Sequence, residues 1–396
     1  MSADATIHIG VIAGEASGQL LAADVIRHLK EVAGANIRLS GVGGGELQDL
    51  GLNSFFDPED IALTGLTAVV AQLPKLLSHL SLATRHFVTD PPDLLLLVDS
   101  PDFSSRVAKR VKRQRPDMKI AKYVAPTVWA WRPERAKKMV GTIDHVFALF
   151  PFEPEVMQTL GGPPTTYVGH RLLADENLMA IHSRKTKKSL DNKEIDLVFL
   201  PGSRRSEIKS LMPDMGRVIG VLEERKTPFT ITIPAVERHL SLIKDHVQRW
   251  DVRATPKVVT GRAAQLEAFR QADAALAASG TVLLELALAK VPALSIYRAD
   301  LLMKPFTYLI KTWSAALPNV ITDRVVISEY YDHLINAGLL ARQLEELATP
   351  QSTKRQAVLE GYDLVRSNMA LTHPPHETVT DALLTMLNMS RPQKKG

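Results

Sequence analysis

The sequence predicts an α/β protein that consists of two doubly wound parallel-sheet halves. Short apolar runs bounded by turn residues alternate with longer amphipathic stretches, which is the pattern of βαβ units in a parallel sheet. The pattern starts at Ile7 and starts again near residue 195. Each half also opens with a strand, a small-residue turn and a helix start, at Val11–Gly18 and at Val198–Arg205. Two doubly wound halves are the simplest explanation of this repetition.

Ten strands are predicted, five in each half. The N-terminal five are Ile7–Ala13, Ile37–Val42, Leu94–Val98, Lys119–Val124 and His145–Leu149. The C-terminal five are Ile195–Leu200, Phe229–Ile233, Lys257–Thr260, Ala274–Ala277 and Ala293–Ile296. A polar run without periodicity lies between them, and the chain looks helical beyond Ile335. We therefore expect an N-terminal domain over residues 1–175, a C-terminal domain over 190–345, and helices over 346–396 that can pack back on the N-terminal domain.

Composition and charge narrow the class of protein. The chain has 396 residues, of which 45% are hydrophobic and 23% charged, as in a globular protein of two or three domains. A formal net charge of +5 is a mild excess and is not the pattern of a nucleic-acid-binding protein. The absence of cysteine excludes disulfides, thiolate zinc sites and cysteine nucleophiles, and it fits a reducing compartment. The sequence suggests neither a signal peptide nor an apolar run near the roughly 20 residues that span a bilayer.

The turn at Leu200–Ile208 is the strongest sign of an anion site. A strand ends in a Pro-Gly turn, and the N–H groups and dipole of the following helix attract anions. Arg204 and Arg205 stand at this positive helix end, where a cation is unfavourable unless a negative group compensates. Gly202, Ser203 and Arg204 are therefore candidate ligands of a phosphate or diphosphate. The alternative is that both arginines pair with surface acids.

A second turn, at Ala277–Ala287, has the same strand, turn and helix design. Ser279, Gly280 and Thr281 can hold diphosphate oxygens at the helix start. Glu285 lies one turn further along and can accept the two hydroxyls of a ribose. The two features together indicate a nucleotide. An amphipathic helix with a capping serine is the alternative for this turn taken alone.

Acidic and hydroxyl side chains stand at the ends of two predicted N-terminal strands. Asp99 follows Leu94–Val98, at the edge where α/β sheets present reactive groups, and can act as a general base. Helix capping is the equally weighted alternative for Asp99. Glu15 and Ser17 lie in the turn after the first strand and would face the same crevice, as contacts for an acceptor or a sugar.

Two further groups concern acceptor and lipid contacts. Trp129, Trp131 and Arg132 follow another predicted strand end and can form a sugar or acyl surface, although packing in the core is the commoner fate of tryptophan. The apolar stretch that contains Leu66 and Val69 is either core or a patch that contacts a membrane, with the basic run 106–115 adding attraction to anionic lipid. The 12 histidines have no metal-ligand spacing, so no metal site is predicted.

Eight ordered motifs together resemble the lipid-A-disaccharide synthase family. They are Gly14–Gly18, Asp99–Phe103, Pro126–Arg132, Phe150–Glu153, Val168–His170, Leu200–Arg204, Ala278–Thr281 and Leu317–Asn319. The resemblance covers about residues 7–320 and weakens in the C-terminal helices. One departure is Gln19, where the family usually has an aspartate after the Gly-Glu-x-Ser-Gly turn.

The resemblance implies a GT-B glycosyltransferase with two Rossmann-like domains that face a cleft. It would act on the cytoplasmic face of a Gram-negative inner membrane in lipid A biosynthesis, as a peripheral protein without a cofactor. The reaction would transfer 2,3-diacylglucosamine from its UDP derivative to 2,3-diacylglucosamine 1-phosphate with inversion, without a metal. By motif position, Asp99 would be the base with Glu15 beside it. Arg204, Ser279, Glu285 and Asn319 would be substrate contacts.

Within this reading, residues 1–175 would bind acceptor and lipid, and residues 190–345 would bind the UDP-sugar. No nucleic acid is expected, and an oligomer is compatible with the pattern. Two alternatives stay open from the sequence. One is another GT-B enzyme that uses UDP-sugars, such as a UDP-N-acetylglucosamine 2-epimerase. The other is a non-catalytic protein that binds a nucleotide sugar or a lipid.

Overall fold

A computed structural model describes residues 6–61, 72–181, 194–298 and 311–389 of the chain. The contacts divide it into two units: Met1–Arg171 with Leu371–Gly396, and Leu172–Ala370. Each unit has a six-stranded sheet in which every pair of neighbouring strands is parallel. Leu66 and Val69 lie outside the described residues, so their predicted lipid contact stays a prediction. Among the described residues, no helix has the length and apolar character needed to cross a membrane.

The first sheet has the strand order β2-β1-β3-β4-β5-β6. Its strands are β1 (Thr6–Ala13), β2 (Asn36–Val42), β3 (Leu94–Val98), β4 (Ile120–Tyr123), β5 (His145–Ala148) and β6 (Thr165–Tyr167). All five residues of β3 are buried, because helices cover both faces of a parallel sheet. Since β1 and β3 are neighbours with Ala13 opposite Val98, the turns that follow these two strands lie side by side.

The helices of the first unit follow its strands in alternation. They are α1 (Ala16–Val32), α2 (Glu46–Asp49), α3 (Leu73–Thr89), α4 (Pro101–Gln114), α5 (Glu134–Met139) and α6 (Glu153–Thr159). The helix α1 buries one apolar face on the sheet, including Val25, Ile26 and Leu29. The alternation of strand and helix places the carboxyl end of each strand next to a helix start, where the candidate residues of this unit stand.

The second sheet has the order β12-β11-β10-β7-β8-β9. Its strands are β7 (Ile195–Leu200), β8 (Phe229–Ala235), β9 (Lys257–Thr260), β10 (Ala274–Ala278), β11 (Ala293–Tyr297) and β12 (Ser328–Tyr331). Its helices are α7 (Glu176–Met179), α8 (Arg205–Glu224), α9 (Leu240–Gln248), α10 (Arg262–Gln271), α11 (Thr281–Leu288), α12 (Leu317–Thr322), α13 (Ala337–Ala348) and α14 (Thr353–Asn368). The central strands β7 and β10 are neighbours, so the two glycine turns that follow them are adjacent.

The last helix, α15 (Pro375–Met386), belongs to the first unit. It packs on α1, and its buried Val379 and Leu383 join the core of the first sheet. Gly169 lies against the C-terminal segment, since a Cβ there would overlap the side chain of Leu371. Four short 3-10 helices complete the described secondary structure: Pro58–Ile61, Arg171–Ala174, Glu237–His239 and Asp332–Leu334.

The predicted α/β class with two doubly wound parallel sheets is confirmed. All ten predicted strands are present, and their ends agree within two residues. Two strands were missed, Thr165–Tyr167 and Ser328–Tyr331. Each is an edge strand of three or four residues without a buried apolar run, so it lacks the signal by which the central strands are recognised.

Candidate functional site

The turn after β1 packs directly on the turn after β3. A Cβ on Gly14 would overlap the hydroxyl of Ser100, and a Cβ on Gly18 would lie 3.2 Å from the Cβ of Asp99. Glycine is therefore required at Gly14 by close approach of the neighbouring turn. Glu15 and Ser17 are exposed in the same turn. The first sheet thus brings three of the predicted residues, Glu15, Ser17 and Asp99, to one edge.

Asp99 occupies an unusual backbone conformation. Asp99 and Ser100 have φ values of 55° and 41°, in the left-handed region that only glycine adopts easily. Each such residue costs about 1–3 kcal/mol, and such strain clusters at functional sites. Asp99 is partly exposed, whereas Ser100 is buried, and its hydroxyl has no hydrogen-bond partner among the described residues. The capping alternative for Asp99 is not what the structure has, because α4 starts after Ser100 and without a side-chain cap.

A buried lysine that the sequence reasoning missed lies beneath this turn. The Lys122 side chain is 1% exposed, and its Nζ lies 3.4 Å from the Asp99 carbonyl oxygen and 3.4 Å from Ser104 Oγ. Burial lowers the pKa of Lys122 from 10.5 to about 8, and the charge of Asp99 opposes that shift. A lysine inside a predicted central strand was the signal that could have identified it.

Gln19, the departure from the family motif, supports the turn after β1. Its amide nitrogen donates to the Gly14 carbonyl oxygen at 2.8 Å. Its amide oxygen faces the small-residue turn after β2, where a Cβ on Gly44 would lie 3.2 Å away. The glutamine therefore has a local structural function that connects two neighbouring turns.

The aromatic segment after β4 contributes less free surface than predicted. The Trp129 ring packs edge-on against Phe152 at 5.4 Å, and its indole N–H lies 3.4 Å from Glu153 Oε1. Glu153 also accepts the Leu149 and Phe150 N–H groups at 3.0 Å, while burial raises its pKa to about 7. The packing alternative therefore describes Trp129. Trp131 is half-buried, and the Arg132 side chain is 54% exposed and 3.7 Å from Glu134.

The second unit has a pocket of about 610 Å³ at the carboxyl ends of β7, β8 and β10. We call it the second-unit pocket. All predicted nucleotide ligands except Asn319 line it: Gly202, Ser203, Arg204, Ser279, Gly280, Thr281 and Glu285. The two glycine turns that the sequence singled out therefore form one site, as expected from adjacent parallel strands.

The arginines at the start of α8 were expected to need a negative group nearby, and in the structure this group is a side chain of the helix itself. Glu207 Oε2 accepts the N–H groups of Ser203 and Arg204 at 3.2 Å, and Glu207 Oε1 pairs with the Arg204 guanidinium at 2.9 Å. The Arg204 side chain is 69% exposed. The alternative in which arginine pairs with a surface acid thus describes Arg204 in this structure. Glu207 was missed because a glutamate three residues after the N-cap is a common capping pattern.

The start of α11 differs from that of α8 in how its backbone N–H groups are capped. Helix α11 begins after Gly280, and within the described part of the chain no side chain caps it. Thr281 is exposed at its first turn, and the Ser279 hydroxyl lies 3.5 Å from the Ala315 carbonyl oxygen. Uncapped N–H groups and the helix dipole make this end the better anion site of the two.

Glu285 lies one turn into α11 and pairs with an arginine that the sequence reasoning missed. Arg262 donates to Glu285 Oε2, to Gln265 Oε1 at 3.1 Å and to Asp175 Oδ2 at 2.7 Å. Burial raises the pKa of Glu285, and the Arg262 guanidinium opposes the rise. Arg262 starts α10 after a glycine turn, the same placement as the arginines at α8. The pairing holds the Glu285 carboxylate in the wall of the second-unit pocket.

Asn319 is not among the described residues that line the second-unit pocket, and its predicted contact with substrate stays a prediction. It is 1% exposed, and its amide oxygen accepts the Val326 and Ile327 N–H groups at 2.8 Å. Its amide nitrogen donates to the Ile327 carbonyl oxygen at 2.9 Å and to Ser314 Oγ at 3.1 Å. Asn319 is therefore a structural residue that ties α12 to the segment before β12.

The sequence predicts no metal site, that is, no cluster of side chains that could ligate a metal ion together. Across the parts of the chain that the structure describes, no group of three or more His, Asp or Glu is arranged to hold a metal ion.

Two units, each with a six-stranded parallel sheet and flanking helices, define the GT-B fold class. The chain is similar to MurG of Acinetobacter baumannii, with TM-score 0.60, 14% identity and coverage of 96% of this chain and 99% of that one. It is also similar to MnaA of S. aureus, solved with UDP, with TM-score 0.61, 13% identity and coverage of 98% and 100%. At these identities the likeness shows the fold alone.

Sequence comparison gives the family. Residues 9–370 match the sequence model described as lipid-A-disaccharide synthetase. A lipid-A-disaccharide synthase of Rhodopseudomonas palustris strain BisB18 is 38% identical over 387 residues, 97% of this chain and 96% of that protein. A second, of Nitrobacter winogradskyi, is 37% identical over 392 residues, 98% of each. The chain belongs to the lipid-A-disaccharide synthetase family and is a hexosyltransferase with the GT-B fold.

This assignment confirms the resemblance, the fold and the enzyme class predicted from the sequence. It disfavours both the epimerase and the non-catalytic alternative. The site roles of individual residues stay predictions.

Proposed function

We propose that this chain joins 2,3-diacylglucosamine from UDP-2,3-diacylglucosamine to 2,3-diacylglucosamine 1-phosphate, which gives the β-1,6-linked disaccharide 1-phosphate and UDP. The observation that carries the proposal is family membership over almost the whole chain. It is supported by a nucleotide-sized pocket in one unit and by a strained, partly exposed aspartate at the sheet edge of the other.

The UDP part of the donor is assigned to the second-unit pocket. The diphosphate is placed at the uncapped start of α11, against the N–H groups that follow Gly280 and the Ser279 and Thr281 hydroxyls. The ribose hydroxyls donate to Glu285, which Arg262 holds in place. Glu207 already compensates the start of α8, so that helix end is the weaker phosphate site. Arg204, exposed on the same pocket, can exchange Glu207 for the departing diphosphate.

Asp99 is assigned as the general base for the acceptor. It accepts the proton of the acceptor 6-hydroxyl while that oxygen forms the bond to the donor anomeric carbon and the bond to UDP breaks. One displacement of an α-linked donor gives a β-linked product, so inversion needs no covalent enzyme intermediate. Glu15 and Ser17, which are exposed in the turn next to that of Asp99, are assigned to hydroxyls of the acceptor. Developing charge on UDP is stabilised by the helix dipole and by Arg204.

The chain is further proposed to work as a peripheral protein on the cytoplasmic face of the inner membrane. Both proposed substrates carry acyl chains, which partition into a bilayer. In the described part of α3, Leu73 and Leu77 are 45% and 44% exposed. Sedimentation with vesicles that contain anionic lipid should pellet the protein, and Leu73→Glu with Leu77→Glu should weaken this. Equal sedimentation of both forms would remove α3 from the proposal.

Product mass spectrometry tests the reaction. Purified protein is mixed with both acylated sugars in the presence of a chelator, and a disaccharide 1-phosphate peak is expected together with UDP. Asp99→Asn should abolish most of the peak. Asp117→Asn is the matched control, because this exposed carboxylate stands before β4 at the opposite end of the same sheet. Absence of the disaccharide with the wild-type protein would overturn the proposal.

A further inference from the structure

Lys122 is a buried cation that the proposed chemistry does not use. It lies on β4, opposite Leu97 of β3 and Val146 of β5, and both of these neighbours are fully buried. Its ammonium has two polar contacts, both at the long distance of 3.4 Å. A buried charge with weak partners is costly, and an apolar side chain of similar volume would pack there at lower free energy. Packing of the strand alone therefore does not account for a lysine at this position.

The contacts of Lys122 converge on one backbone atom. The Asp99 carbonyl oxygen lies 3.4 Å from Lys122 Nζ and accepts the Ser104 hydroxyl at 3.1 Å, and Ser104 is itself 3.4 Å from the ammonium. This carbonyl belongs to the left-handed Asp99–Ser100 turn, which needs surrounding structure to persist. The carbonyl carbon and Cβ of Asp99 are bonded to the same Cα, so holding this carbonyl restricts the direction in which the side chain leaves the sheet edge.

We propose that Lys122 is a positioning residue of the transfer reaction, whose buried ammonium holds the Asp99 carbonyl and so aims the Asp99 carboxylate at the acceptor hydroxyl. The proposal rests on the proposed function of Asp99 as the base. The charged groups that act on Lys122 are Asp99 at the end of β3, Asp102 on α4 and Arg135 on α5. The ammonium is the state that makes these contacts, so activity should fall as Lys122 deprotonates.

The experiment is the pH profile of kcat, between about pH 6 and pH 10, for wild type and four variants. Wild type should lose activity with an apparent pKa near the value of about 8 that burial gives Lys122. Lys122→Met should lower kcat by roughly 10- to 100-fold, with the donor KM unchanged, and remove the alkaline decline, because a small displacement of a catalytic group costs up to about 100-fold. Lys122→Arg should restore part of kcat and extend activity to higher pH.

Ser104→Ala tests the same contact without any substitution at Lys122. It removes one of the two acceptors of the ammonium, so the alkaline decline should move to lower pH. Lys137→Met, at an exposed lysine of α5, is the control and should leave the profile unchanged. The inference is overturned if Lys122→Met keeps kcat, if it keeps the alkaline decline at the same pH, or if Ser104→Ala does not move it. Failure of the proposed function is distinguishable from failure of this inference. If Asp99 is not the base, Asp99→Asn keeps full kcat, whatever the effect of the Lys122 variants.

Discussion

Replacing Lys122 by methionine should make the first unit more stable at neutral pH. Burial lowers the pKa of this fully buried lysine from 10.5 to about 8. One pKa unit corresponds to about 1.4 kcal/mol, so holding the ammonium charged in the folded state costs roughly 3 kcal/mol at pH 7. Methionine has a similar length and no charge, and the Ser104 hydroxyl keeps its bond to the Asp99 carbonyl oxygen. The free energy of unfolding should therefore rise by up to about 3 kcal/mol.

The pH dependence gives this prediction its sign. The folded-state pKa of Lys122 lies below the unfolded value, so between the two the unfolded chain binds more protons and stability increases with pH. The penalty is complete below about pH 8 and is gone above about pH 10.5. The advantage of Lys122→Met over wild type should accordingly be largest at pH 7 and shrink as the pH approaches 10.5.

Urea unfolding at pH 7 and pH 10 measures this difference. Of the four tryptophans, Trp129 and Trp131 lie in the first unit. In a background with Trp250→Phe and Trp313→Phe, fluorescence reports that unit alone. If Lys122→Met is less stable than wild type at pH 7, the ammonium stabilises the fold. The free-energy cost of burying the ammonium would then no longer be a reason to assign Lys122 a function at the turn.

Three further outcomes follow from the contacts. Asp99→Asn should lower kcat by about 10²- to 10⁴-fold, the usual contribution of a general base, while calorimetry finds the same UDP affinity; equal loss of both would reassign Asp99 to binding. Arg262→Ala should raise the UDP Kd by about tenfold, or about 1.4 kcal/mol, because it leaves Glu285 unheld; an unchanged Kd would remove the pair from the nucleotide site. Asn319→Ala should lower the free energy of unfolding by about 2–4 kcal/mol, because two buried backbone N–H groups lose their acceptor, with UDP affinity of the folded protein unchanged.

The central strands were predictable because burial on both faces leaves continuous apolar runs such as Leu94–Val98. The edge strands were not, since Thr165–Tyr167 and Ser328–Tyr331 have little apolar content to signal them. The turn residues of the candidate site were identifiable for the same reason as the strands: glycine and small residues directly follow an apolar run. Adjacency of the turns then follows from the strand order, which the sequence does not state.

The partners of the site residues differ in how far the sequence signals them. Glu207 is a local i,i+3 partner of Arg204, and Lys122 is a lysine inside an apolar strand, whereas only the fold brings Arg262 to Glu285, 23 residues away. Asn319 lies in a motif of the family, and its amide makes hydrogen bonds within the segment 314–329. The motif marked the position, but the sequence could not show these hydrogen bonds.

The two helix starts of the second-unit pocket illustrate why a partner changes the chemistry. Both follow a buried strand and a glycine, so the sequence assigns both to phosphate. At α8 the Glu207 carboxylate has taken two backbone N–H groups, and a diphosphate would have to displace it against charge repulsion. At α11 no side-chain cap competes among the described residues, and Glu285 of the same helix pairs with Arg262. The dipole of α11 is therefore available to a bound anion, and the diphosphate should lie nearer Thr281 than Ser203.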